Sequence, residues 1–186
     1  MVQPMPAELA AFNEIIDDLN ELTTRNPSEF LLHRKLKELE DRANALTKTD
    51  LAYGFSALGS IAAARQDIQA MHKNHRKSLQ YGSNLVFQRN YAISIWKCGQ
   101  PEAAVTYAME LFEKNPTDVL LVDHLAWISF ELGDEKAYLR FASLYRDLTK
   151  QDHESWSAYQ EERTEIQRLS RQCAGATACA CARADR

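Results

Sequence analysis

Apolar positions recur along this chain at the three-to-four-residue spacing of helix faces, not the alternation of strands. Leu9, Phe12, Ile16, Leu19 and Leu22 form one stripe, and Asn26-Pro27-Ser28 breaks it. Leu32, Leu36, Leu39, Ala43 and Leu46 then step by fours and threes, a heptad-like seam. Two such helices with a short break predict an antiparallel hairpin over residues 1–50. The outward face of its second helix is dense in charge (Arg34, Lys35, Lys37, Glu38, Glu40, Asp41, Arg42) and reads as a solvated surface.

The pattern beyond residue 50 repeats. Gly99 and Gly133 lie 34 residues apart, as do Ala92 and Ala126, Trp96 and Phe130, and Ala108 and Ala142. Small residues return where small residues stood, and large apolar ones where large ones stood, the mark of a repeated helix–turn–helix unit. Local signals agree. A helix over 84–98 is stopped by Gly99, and Pro101 opens the next, where its missing N–H costs nothing. Asn115-Pro116-Thr117-Asp118 is a turn before a helix over 119–132, and Asp134 caps its partner, which runs to about Lys150. Residues 51–84 fit the same frame as a degenerate unit, with helices over 51–64 and 66–80 and Arg65 in place of the turn glycine. A polar helix near 154–171 reads as a terminal cap.

These residues resemble the tetratricopeptide (TPR) family. Ala92, Gly99, Ala104 and Pro116 occupy the family's small-residue, turn, second-helix and end positions in the unit 85–118, and Ala126 and Gly133 do so in the unit 119–152. The second unit departs with Tyr138 at the second-helix position and Lys150 for the proline, and the first carries Leu111 where a second small residue is usual. The resemblance implies an all-α, right-handed solenoid of antiparallel helix hairpins, about nine helices in all. The N-terminal hairpin would occupy residues 1–50, repeats 51–152 and a cap 153–172. It further implies a concave wall formed by the first helix of each pair. Arg89, Ile93, Trp96 and Lys97 would line it from one unit and Asp123, Trp127 and Phe130 from the next, while small Ala52, Gly59 and Ala62 would deepen a pocket. Aromatic and arginine side chains interleaved with charge are the material of binding hot spots.

Composition adds limits. Hydrophobic residues at 45% and charged residues at 26% are the balance of a globular protein, and only 6 Gly and 5 Pro leave too few turns for an all-β fold. A net charge of −4 offers no electrostatic footprint for nucleic acid, and no apolar run is long enough to span a membrane. The start of the chain does not read as a signal peptide, so a soluble cytoplasmic protein is expected. Cys173, Cys179 and Cys181 crowd the tail, where residues 173–182 read CAGATACACA. The stretch 173–186 is taken as disordered or artefactual and outside the fold.

No phosphate loop, dinucleotide fingerprint, nucleophile elbow or zinc-protease motif occurs. His72 and His75 share a helix face with Lys73, Arg76 and Lys77, which reads as a basic solvated face rather than a metal site. His124 and His153 neighbour acids in sequence, which does not make a dyad. The expectation is therefore a protein with no catalytic residues, metal or cofactor. It would act as an adaptor or chaperone, binding a peptide or helix of another protein on the concave wall. The alternatives are a structural subunit that pairs with its twin through the N-terminal hairpin, and less readily a nucleic-acid-binding helical repeat.

Overall fold

A computed structural model describes residues 6–25 and 27–166. Among them are nine helices and no strands, so the chain is all-α. The helices are α1 (Ala7–Thr24), α2 (Glu29–Leu46), α3 (Leu51–Ala64), α4 (Ile68–Tyr81), α5 (Leu85–Lys97), α6 (Pro101–Lys114), α7 (Val119–Glu131), α8 (Glu135–Thr149) and α9 (156–166). None of those described is long and apolar enough to cross a membrane. The tail cysteines, and the end of the terminal helix expected near Arg171, lie outside the described residues.

Side chains in the chain itself fix most helix starts. Ser28, Asp50, Asp67, Asn84 and Asp134 each accept an N–H from the first turn of α2, α3, α4, α5 and α8. Each such cap stabilises its helix by about 1 kcal/mol.

The turns within three helix pairs share one geometry. Gln66, Gly99 and Gly133 have φ of 60°, 70° and 67°, the left-handed conformation that ends a helix. In each case the next residue's N–H reaches back to a carbonyl five positions earlier: Asp67 to Ala62 at 2.9 Å, Gln100 to Ile95 at 3.2 Å, and Asp134 to Ser129 at 3.0 Å. The sequence reading placed Arg65 at this position in the first of the three. The structure places Gln66 there, with Arg65 still right-handed. That spacing is 33 residues to Gly99, against 34 from Gly99 to Gly133. Met71 and His75 therefore stand at the positions of Ala104 and Ala108, not one residue away.

The chain divides into two compact units, Met1–Leu121 and Val122–Arg186. In the first, α3 is the hub, packed against α1, α2, α4 and α5. Its Ala52, Gly54, Ser56, Ala57, Gly59, Ile61, Ala62 and Ala63 are all buried, which its run of small side chains permits by letting neighbours approach from every side. The core joins Phe12, Ile15 and Leu19 of α1 to Leu36, Leu39, Ala43 and Leu46 of α2 and Ala57 and Ile61 of α3. The rings of Phe12, Tyr53 and Phe87 meet with centroids 5.0–6.3 Å apart, so α1 also reaches α5.

In the second unit, Tyr138 is the centre. It is buried, and its ring packs against Phe130, His153, Trp156 and Tyr159.

Candidate interaction surface

Most residues expected on a concave binding wall are engaged within their own unit. Arg89 Nη1 donates to both carboxylate oxygens of Asp118, at 2.8 and 2.7 Å, and these side chains are only 14% and 20% exposed. Asp118 also caps α7 by accepting the Leu121 N–H. Lys97 Nζ donates to Asn20 Oδ1 at 3.1 Å, and partial desolvation lowers its pKa. Ile93 lines a small cavity with Ile16, Leu19 and Asn20 of α1, so α1 lies along the faces of α3 and α5 where a ligand was expected. Trp96 is half-buried.

Of the three small residues expected to deepen a pocket, Ala52, Gly59 and Ala62, the structure packs Gly59 directly against another helix. Ala52 gives its carbonyl to Ser78 Oγ at 2.7 Å, and a Cβ on Gly59 would sit 2.5 Å from the His75 ring.

Three more wall residues belong to the second unit. Asp123 Oδ1 lies 3.1 Å from His153 Nε2. Trp127 Nε1 donates to Glu154 at 2.9 Å, and its ring meets His153 edge-on. Phe130 packs on Tyr138.

Around His153 the structure assembles an acid, an imidazole and a hydroxyl that sequence reasoning did not connect. His153 Nδ1 lies 2.7 Å from Ser155 Oγ, and Ser155 Oγ lies 3.1 Å from Tyr138 Oη. The Ser155 N–H donates to His153 Nδ1 at 3.3 Å, and the Ser155 hydroxyl donates to Tyr138 Oη. The order Asp–His–Ser matches a hydrolytic triad, but the setting does not. His153 and Ser155 are buried, and Ser155 lies two residues after the histidine, in the turn that starts α9. A nucleophile needs an approaching carbonyl and an oxyanion site, and Ser155 Oγ faces Tyr138 instead. The group ties the start of α9 to α7 and α8.

His72 and His75 are the clearest departure from the sequence reading. His75 is buried, not solvated. Burial, with a smaller contribution from His72, lowers its pKa to about 3. Its Nε2 lies 2.8 Å from Ser94 Oγ, and its ring stacks on Tyr91. His72 Nδ1 lies 2.8 Å from the Tyr91 hydroxyl. Cys98 is buried too, and burial pushes its thiol pKa up, the opposite of activation.

A further opening lies elsewhere, between the C-terminal half of α1 and the N-terminal half of α2. This cleft of about 530 Å³ has an apolar floor of Leu22, Leu31 and Leu39. Its rim carries Asp18, Glu21 and Glu38 with Arg25, Lys35 and Arg42. The six pair internally as Arg25–Glu21, Lys35–Glu38 and Arg42–Asp18. The Lys35 hydrogen bond holds the Glu38 carboxyl below its usual pKa. In the first turn of α2, next in sequence to Leu31 but outside the cleft lining, Phe30 is 79% exposed. Large aromatic side chains bury 150–250 Å² when covered. This one is left in water.

Among the described residues, no three His, Cys, Asp or Glu side chains converge to hold a metal. No protein-family model matches this chain, and no curated protein matches it either.

Proposed function

We propose that this chain is a non-catalytic, protein-binding scaffold of TPR-like helix hairpins stacked as a short right-handed solenoid. Its partner docks on the α1–α2 cleft. The repeated left-handed turn at Gln66, Gly99 and Gly133, with the same back-bonds each time, supports the repeat reading. Stacked hairpins bury one another's apolar faces and present surface rather than a catalytic cavity.

The observation that carries the docking site is an apolar-floored cleft with a charged rim, with the exposed Phe30 next in sequence to its lining residue Leu31. An apolar centre inside a polar rim is the anatomy of an interface. The aromatic wall first expected to bind is the weaker candidate, because Arg89, Lys97, Asp123 and Trp127 spend their polar groups on neighbours in the chain.

Affinity capture from native extract tests this, comparing wild type with Phe30→Ser and with Trp127→Phe, each checked for unchanged helicity by circular dichroism. Proteins lost with Phe30→Ser and retained with Trp127→Phe are the expected result. Equal capture by wild type and Phe30→Ser would remove the cleft from the account.

A further inference from the structure

From Ile68 to Pro101 the chain carries no Asp or Glu, although over its whole length acids outnumber Lys and Arg by 26 to 22. The cations in that stretch are Lys73, Arg76, Lys77, Arg89 and Lys97. Arg89 is paired with Asp118, and Lys97 bonds Asn20. The other three are on α4, and no acid among the described residues pairs with them. The acids at the starts of α4 and α3 are already engaged: Asp67 accepts the Ala70 N–H and Asp50 the Tyr53 N–H.

Lys73, Arg76, Lys77, Gln80 and Tyr81 follow the three-and-four spacing of a single helix face. That face is opposite the buried one of Met71, His75 and Ser78. Lys73, Arg76 and Gln80 are exposed, and Tyr81 is 58% exposed. The Tyr81 ring stacks on Phe55 of α3, with centroids 6.0 Å apart and 14° between the planes. Lys77 Nζ stands 4.8 Å from the Phe55 centroid, within cation–π range. On the far side of Tyr81, Leu51 and Lys48 line an open recess. An aromatic pair with an apolar margin thus sits among unpaired cations.

We infer that this face of α4 binds an acidic polypeptide segment, rich in Asp and Glu and carrying an aromatic or large apolar side chain. Its carboxylates pair with Lys73, Arg76 and Lys77, and its apolar side chain packs on Tyr81 and Leu51. Charge complementarity selects the sign of the partner, and no internal ion pair has to open first. A nucleic acid fits less well. Lys73 to Lys77 span only about 6 Å of helix, and a polyanion runs on past them over a chain whose net charge is −4. A short segment feels only the charges within about 8–10 Å. This surface shares no lining residue with the α1–α2 cleft and does not rest on it.

Fluorescence anisotropy tests this, with a short labelled peptide of Asp and Glu flanking a central Trp-Leu pair, titrated with the purified full chain. Binding is expected, and it should weaken as salt rises. Lys73→Glu with Arg76→Glu, and Tyr81→Ser alone, should each weaken it by about tenfold or more. Lys114→Glu, at an exposed cation outside this face, and Phe30→Ser should leave it unchanged. Circular dichroism checks that each variant keeps its helicity. A wild type that does not bind the peptide overturns the inference. So does binding that the α4 variants leave intact, or that survives replacement of Trp-Leu by Gly-Ser in the peptide. A single-stranded oligothymidylate that binds more tightly than the peptide, and is lost with the same variants, would assign the face to nucleic acid instead.

Discussion

Gly59 and His75 give the sharpest test of how the first unit is packed. A Cβ added at Gly59 would lie 2.5 Å from His75 Cδ2, 2.6 Å from Nε2 and 2.8 Å from Cγ. The ring cannot swing aside freely, because it is bonded to Ser94 and stacked on Tyr91. Overpacking of this kind costs about 1–3 kcal/mol. Replacing glycine by alanine inside a helix returns about 1 kcal/mol. Gly59→Ala should therefore destabilise the protein by up to about 2 kcal/mol. His75→Ala leaves a cavity and frees the Ser94 hydroxyl, which should cost about 2–4 kcal/mol by itself. The double variant should recover more than the single losses allow. It sets alanine against alanine, the residue types at the equivalent buried positions Ala92 and Ala108, and again Ala126 and Ala142. Urea unfolding followed by circular dichroism gives the four stabilities. A favourable coupling of about 1 kcal/mol or more is expected. A coupling below about 0.5 kcal/mol, with Gly59→Ala neutral in both backgrounds, would refute the complementarity.

Further expectations follow from other contacts. His75 stays neutral in the folded chain down to about pH 3, while an unfolded histidine takes up its proton near 6.5. The unfolded state thus binds more protons between those values. Stability should be lost as pH falls through that window, by up to about 1.4 kcal/mol per unit, and His75→Ala should flatten that acid limb of a stability–pH profile. Gln66 holds a left-handed turn and donates its side-chain amide to Lys97 O at 2.9 Å. Gln66→Ala keeps the backbone strain and loses the bond, so thermal melts should show a loss of about 1 kcal/mol, with Gln66→Gly close to wild type. Arg89→Ala should lower the unfolding free energy from urea titration by about 3 kcal/mol, since it strips Asp118 of its largely buried partner. Tyr138→Phe leaves the Ser155 hydroxyl one partner short and should raise hydrogen exchange across α8 and α9.

What the sequence made legible was local. Helix starts and stops carry chemical marks, and Asn84, Gly99, Pro101, Asp118, Gly133 and Asp134 act where their residue types suggest. The one-residue slip at Gln66 was hidden because glutamine gives no sign of a positive φ, and a 34-residue frame put Arg65 there instead. His75 looked solvated because its sequence neighbours Lys73 and Arg76 are exposed cations. Its burial depends on Gly59, a residue on another helix. The Asp123–His153–Ser155 group likewise joins residues about 30 positions apart, which only the path of the chain brings together. The wall side chains are placed on a groove by the TPR resemblance. That resemblance carries no sign that α1 lies along α3 and α5.

The proposed function puts the partner on the α1–α2 cleft in preference to the aromatic wall. Hydrogen exchange of the full chain, free and bound to the protein that affinity capture retains, tests it most directly. Protection that rises on binding across residues 18–42, and stays constant over 89–97 and 123–130, is the predicted result. Protection that rises over 89–97 and 123–130 while 18–42 stays unchanged would contradict it.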